Sequence, residues 1–205
     1  MKITWLGHAC FLVDTAEGSI VFDPYAPGSV PGLKLPPLRA DAVCCSHGHR
    51  DHVYAEGVTL SGRAPSFTLR QLPCWHDDRR GALRGDNRIA LLEAEGLRLA
   101  HLGDLGHEPD EELLAQLKGV DVLLIPVGGH YTIDGEQAAA IAGKIGARVV
   151  IPMHYRGTGF GYDVIAPPDA FLSRMEQVRR LEDNCLTVTA QTEAGVYLPR
   201  CPVGG

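Results

Sequence analysis

The segment Ser46-His47-Gly48-His49-Arg50-Asp51-His52 places three imidazoles and a carboxylate within six consecutive positions. His47 and His49 are two residues apart, so in an extended segment leaving a strand they project to the same side. Asp51 and His52 stand where a helix could begin and point elsewhere, toward a neighbouring centre. Two nitrogens for one ion, with a carboxylate and a nitrogen for another, form a mixed donor set suited to zinc, manganese or iron. The alternative is a solvated polar loop, and the apolar run Ala42-Val43-Cys44-Cys45 directly before the cluster argues against it.

Three later segments offer further donors. His76 in LPCWHDD is by itself either a ligand or a surface histidine. Asp104 in AHLGDLGH sits in a glycine-flanked turn, where backbone and ion can approach closely, and its competing reading is a turn aspartate. His154 in VVIPMHY closes an apolar run, where a lone histidine is more often a satisfied core residue. Taken jointly, His47, His49 and His76 complete a three-nitrogen site with an open position for water. Asp51, His52 and His154 complete a second, and Asp104 can bridge the two.

The elements that must position these donors follow from the apolar pattern. ITWLG, ACFLVD and SIVFDP predict a β-hairpin start with a turn at Glu17-Gly18-Ser19. Residues 24–37 carry too many prolines for helix or paired strand and read as a surface loop. Four β-rich runs, ADAVCCSHGH, LRLAHLGD, VDVLLIPVGGH and ARVVIPMHY, each end in small residues followed by a candidate ligand. If they lie parallel in one layered assembly, their carboxyl ends share a rim where ligands gather. Helical spacing predicts helices over 109–118, with Pro109 in the first turn, over 135–145, and over 168–181. CLTVTAQ and GVYLP read as a closing hairpin and CPVGG as a loose tail. The alternation of strands and helices gives the α/β class.

Composition narrows the functions available. The chain has 205 residues, 45% of them hydrophobic, enough for one core, and it reads as a single domain over 1–205. Its 25 acidic and 19 basic residues, net charge -6, are interspersed, so no basic stripe offers itself to nucleic acid. A small-molecule substrate, including an anionic one, stays open, as does a homo-oligomer. Arg79, Arg80 and Arg84 form a basic cluster after His76 that reads either as an anion grip or as solubilising charge. No apolar run approaches the roughly 18 residues of a membrane span, and the N-terminus is too short and polar for a signal peptide. Six cysteines without a C-x-x-C pair suit buried free thiols in a reducing cytoplasm.

In that order, GHACFLV, DP at 23–24, SHGHRDH, WHD, HLGDLGH, IPVGGHYTID and IPMHY resemble the metallo-β-lactamase superfamily, and within it the small lactonase-like metal-dependent hydrolases. The resemblance spans nearly the whole chain. It implies a four-layer αβ/βα sandwich with a cluster of two divalent metal ions, zinc first and manganese or iron as alternatives. By similarity His47, His49 and His76 are ligands of one ion, Asp51, His52 and His154 of the other, and Asp104 the bridge. A metal-bound hydroxide would then attack an ester, lactone or phosphodiester. Asp51 could also relay a proton. His8, in the turn after the first strand, reads as a polar neighbour of the metals or a substrate contact, and His130, with Tyr131 beside it, as a pocket residue. Two features depart from the pattern: Leu105 stands where many relatives have threonine, and His130 is not a histidine the family supplies. The redox branch resembles this pattern with glutamate at position 49, so His49 favours hydrolysis. A redox member and a non-catalytic metal-binding protein remain the alternatives. An amidohydrolase barrel would need about 250 residues, and a structural zinc clip would use cysteines.

Overall fold

A computed structural model describes residues 1–202; the tail reading of CPVGG falls, at 203–205, outside the described residues. The chain runs β1 (Lys2–Gly7), β2 (Cys10–Thr15), β3 (Gly18–Phe22), β4 (Leu38–Ala40), β5 (Ala42–Cys44), a 3-10 turn (Ala55–Gly57), β6 (Val58–Leu60), β7 (Thr68–Trp75), β8 (Asp86–Ala94), β9 (Leu97–His101), α1 (Glu111–Leu117), β10 (Val122–Pro126), α2 (Gly135–Ile145), β11 (Val149–Met153), α3 (Asp169–Leu172), β12 (Val178–Arg180), β13 (Cys185–Thr187) and β14 (Gly195–Leu198). Five strands in the order β13-β1-β2-β3-β5 form one sheet, seven in the order β12-β14-β11-β10-β9-β8-β7 form a second, and β4 pairs with β6 alone.

The two large sheets bury their facing residues in one core to make an α/β sandwich. Trp5, fully buried on β1, stacks obliquely on Tyr155 at 5.3 Å and edge-on to Phe160 at 6.1 Å. His101 of β9 lies between Phe11 and Phe22 of the other sheet, and its Nε2 donates to the Ala9 carbonyl at 2.8 Å. Strands β9, β10 and β11 are buried at nearly every position and pair in parallel, as continuous apolar runs require.

The expected hairpin start is present as an antiparallel β1-β2-β3 meander. The rim is shared by two sheets, because β5 pairs in parallel with β3 and not with the other three runs. Pairing directions nonetheless bring the carboxyl ends of β1, β3, β5, β7, β9, β10 and β11 to one edge.

Elsewhere tertiary pairing overrides local pattern. Helix α2 occupies 135–145 as expected, with Asp134 and Gln137 forming a reciprocal cap and Gly146 closing it in the left-handed region. Helix α1 begins after Asp110, whose side chain accepts from Leu113 N, so Pro109 precedes the cap instead of sitting in the first turn. The helix expected over 168–181 stops after one turn. Gln177 adopts a positive φ, and Val178–Arg180 pair in parallel with β14 as an edge strand. The expected closing hairpin does not form either: β13 joins β1 in one sheet, while β14 joins β11 and β12 in the other. Cys10, Cys44, Cys45, Cys74 and Cys185 are free thiols, and no helix among the described residues is long and apolar enough to cross a membrane.

Candidate metal centre

Each donor sits just beyond a strand end on the common edge. His8 follows β1, Asp23 β3, His47 to His52 β5, His76 β7, Asp104 β9 and His154 β11. His8, Asp23 and His154 hold φ values of 54°, 44° and 52°, in the left-handed region where such residues cost energy and persist only when neighbours over-determine them. Here the neighbours are explicit. The His8 carbonyl accepts from His154 N at 3.2 Å and from Trp5 Nε1 at 3.0 Å, which joins the ends of the two sheets at the cluster.

Hydrogen-bond logic sorts the histidines. Asp23 is buried, and its carboxylate accepts from Ser46 N, from Ser46 Oγ and from His52 Nδ1 at 2.7, 2.7 and 2.9 Å. Since Ser46 Oγ gives its proton to Asp23, it receives one from His47 Nδ1 at 2.9 Å. Both His47 and His52 are therefore protonated on Nδ1 and aim Nε2 at the cluster. This is the orientation that a carboxylate behind a metal-ligating imidazole imposes. By contrast, His101 uses both ring nitrogens, Nε2 on Ala9 O and Nδ1 as acceptor from Gly103 N, and is a satisfied core residue. His107 is likewise satisfied, accepting from Trp75 N and donating to Glu108 O, which ties the end of β7 to the segment after Asp104.

Asp104 occupies the middle. Its Oδ2 lies 3.2 Å from His154 Nε2, 3.3 Å from His52 Nε2 and from His76 Nε2, and 3.9 Å from His47 Nε2. Asn87, fully buried on β8, holds the turn by accepting from Asp104 N and donating to Leu102 O. Gly103 and Gly106 are required there: an added Cβ would come within 2.4 Å of Asn87 Oδ1 at the first and 2.3 Å of the His76 backbone at the second.

The donor atoms form three sets whose members lie within 4.8 Å of one another: His47, His49 and His76; His8, Asp51, His52 and His154; and His47, His52 and Asp104. Among the described residues, six buried side-chain nitrogens or oxygens lack a hydrogen-bond partner, namely His8 Nδ1, His47 Nε2, His52 Nε2, His76 Nδ1, Asp104 Oδ1 and His154 Nδ1. All six belong to this cluster. Each such orphan costs about 1–3 kcal/mol, so their convergence fits a cationic guest that the residues present can hold.

Charge states agree. Burial drives His8 down to about 4 and His47 down to about 3, so both are neutral imidazoles at pH 7, the form that ligates metals. Burial would lower His52 too, but the carboxylates of Asp104 and Asp23 on either side raise it well above the ordinary histidine value. That position calls for positive charge. Burial opposes ionisation of Asp104, yet His154 and His52 hold it well below the usual carboxylate range.

The structure thus brings together all seven sequence-derived ligand candidates, His47, His49, Asp51, His52, His76, Asp104 and His154, and adds His8 to them. His8 Nε2 donates to Asp51 Oδ2 at 3.2 Å. His130 is a correction. It is exposed, lies outside all three donor sets, and does not line the cavity over the cluster; its contribution there is a carbonyl that accepts from Arg84 Nη2 at 2.9 Å. The neighbouring Tyr131 lines that cavity, of about 300 Å3, with Leu83, Arg84 and Tyr162. Tyr162 Oη contacts Ser29 O at 2.6 Å and Asp51 Oδ2 at 3.1 Å, so loop 24–37 backs the wall that loop 156–167 supplies. Asp23, Asp77 and Tyr162 were the functional neighbours that spacing missed; for Asp23, the signal was an acidic residue at a strand end two strands before the histidine cluster.

The family model described as Beta-lactamase superfamily domain matches residues 2–154. Proteins named UPF0173 metal-dependent hydrolase from Carboxydothermus hydrogenoformans and Methanoregula boonei are 33% and 34% identical, each over 76% of this chain and over 84% and 82% of their own lengths. A crystal structure of a metallo-β-lactamase superfamily protein from Thermotoga maritima shares 32% identity and superposes with a TM-score of 0.77 over 97% of both chains.

Proposed function

Since the chain belongs to the metallo-β-lactamase superfamily and is a metal-dependent hydrolase, we propose that it acts as a single domain, 1–205, on a small-molecule ester, lactone or phosphodiester through a dinuclear centre. His47, His49 and His76 would hold one ion, Asp51, His52 and His154 the other, and Asp104 both. The observation that carries this reading is the buried Asp104 carboxylate, set among four imidazoles with its Oδ1 unpartnered. When bound, two divalent ions, zinc in the first instance and manganese or iron otherwise, supply a water acidified to a pKa of roughly 7 and polarise the oxygen of the bond to be cleaved.

The protein's own side chains do the rest. Asp23 fixes the tautomers of His47 and His52 through Ser46 and directly, so neither ring must reorganise as ligands bind. Asp51 Oδ2 receives His8 Nε2 and lies within reach of Tyr162 Oη, which positions that carboxylate to accept and pass on a proton. His8, neutral with its proton on Nε2, holds Asp51 and stands among the second ion's ligands. Tyr131, Leu83 and Tyr162 wall the cavity where the scissile bond is placed.

Elemental analysis of protein purified without added metal, paired with hydrolysis assays on lactone, ester and phosphodiester panels, tests the proposal. Two metals per chain are expected, and Asp104→Ala is expected to lose both and to fall by more than the roughly 100-fold that replacing an outer neighbour of a ligand costs. Fewer than one metal per chain after reconstitution, or full activity in Asp104→Ala, overturns it.

A further inference from the structure

A second cavity, of about 700 Å3, adjoins the one over the cluster and shares His49 and Arg84 with it. Its wall runs from His47 and His49 past Val53 to Arg84, Asp86 and Arg88. An occupant of the cluster cavity that extends past His49 and Arg84 enters this space.

Its charge and rigidity are specific. Asp77 is buried and accepts four backbone N–H groups, those of Arg79, Gly81, Leu83 and Arg84, at 2.7–2.9 Å. The loop 77–85 is thereby wound around one carboxylate. Arg84 is held further by its Nη2 on His130 O and by its guanidinium 5.7 Å over the Tyr131 ring, which occupies one of its nitrogens and leaves Nε and Nη1 without a partner among the described residues. Arg88 projects from strand β8, opposite Pro73 of β7, and has neither ion pair nor side-chain hydrogen bond among the described residues. The cavity wall thus carries two guanidiniums against one carboxylate, that of Asp86. Arg79 and Arg80, of the same basic cluster in sequence, are exposed and line neither cavity.

We propose that this second cavity is a subsite for the non-reacting end of the substrate, and that this end carries an oxyanion, carboxylate or phosphate, bound by Arg84 and Arg88 while the scissile bond lies over the cluster. Guanidiniums bind such oxyanions by charge-assisted hydrogen bonds, Arg88 with its whole fork and Arg84 with the N–H groups that His130 O leaves unpartnered. Val53, 40% exposed at the cavity, provides an apolar stretch for the carbon chain between the two ends. The inference rests on the hydrolase reading for the scissile end, but the anion preference is measurable without turnover.

Isothermal titration of the full chain, as purified and after zinc loading, with three uncleaved anilides decides it: butyranilide, glutaric acid monoanilide and 4-phosphonobutyranilide. The wild type is expected to bind an anionic probe at least about 10-fold more tightly than the neutral one, the scale of a charge-assisted hydrogen bond. The carboxylate and phosphonate arms tell which oxyanion is preferred. Arg84→Gln and Arg88→Gln are each expected to erase most of that ratio, Arg84→Lys to keep part of it, and Arg79→Gln to keep all of it. A ratio near one in the wild type, no binding of any probe, or a ratio unmoved by Arg84→Gln and Arg88→Gln overturns the subsite. Should Arg84→Gln fail to fold, Arg88→Gln, at an exposed strand position, carries the test. Metal content measured on the same samples separates outcomes: two ions with no anion preference sinks the subsite alone, whereas an anion preference without ions sinks the dinuclear reading alone.

Discussion

The two halves of the cluster are built differently. His8, His52 and His154 are buried, two of them with left-handed backbones, and the carbonyl of His8 binds the amide of His154 across the sandwich. In the other half the side chains of His47 and His76 are buried as well, but His49 is exposed at the junction of two cavities. One half is braced from both sheets, and the other is left open on its substrate side. Under the dinuclear reading proposed above, the contrast would assign retention of an ion and admission of a substrate to different donors, with Asp104 linking them.

The hardest test of that contrast is Asp23→Asn. Ser46 N binds Oδ1 whereas Ser46 Oγ and His52 Nδ1 share Oδ2, so the single oxygen of the amide leaves either Ser46 N or both of the other two without an acceptor. Metal affinity is expected to drop roughly 10- to 100-fold, the cost of losing a partner behind a ligand, with the ion nearest His52 the more affected. Competition against a chromophoric chelator measures it, and an unchanged affinity would break the claim that this half is braced.

A smaller effect sharpens it further. Chelator challenge of the loaded protein is expected to release metal in two phases, the fast one from the half that contains exposed His49. His49→Ala should remove the fast phase and leave the slow one. A single phase, or loss of the slow phase instead, would show that the halves do not differ.

The donors themselves were readable because chemistry-bearing residues follow apolar runs, and a buried strand ends where its donors begin. What could not be read was who stands behind them. Asp51 meets His8 from 43 positions away and Tyr162 from 111, so no local spacing announces either contact. The same limit explains the strands. Val178, Met175 and Phe171 have helical spacing, yet the backbone of Val178–Arg180 gains ladder partners on β14 that a helix would forgo. CLTVTAQ and GVYLP alternate like a hairpin, but each finds a better-placed edge, β1 for one and β11 for the other. Pairing between distant segments is a property of the assembled sheets, and local pattern is only a weak prior for it. His130 illustrates the converse: two glycines and a strand end marked the place correctly, but the chain turns there through a positive φ at His130, and Tyr131 faces the cavity instead.

The smallest expected effect concerns the open half's outer wall. Asp77 is held low by its four backbone donors, which outweigh burial and bring its carboxyl down to about 2. An unfolded aspartate titrates near 3.9. A folded value below the unfolded one means that Asp77 stabilises loop 77–85 fully above about pH 4, and that this contribution is lost as pH falls through about 2. Amide exchange of Arg79, Gly81, Leu83 and Arg84, expressed as protection relative to a core amide such as Val150, should therefore decline between about pH 4 and 2. In Asp77→Asn those four amides should start less protected at neutral pH and show no such decline. Retention of wild-type protection in Asp77→Asn would mean that the loop carrying Arg84 is held by Tyr131 and His130 alone, and the open half would then owe its shape to the cavity's far wall.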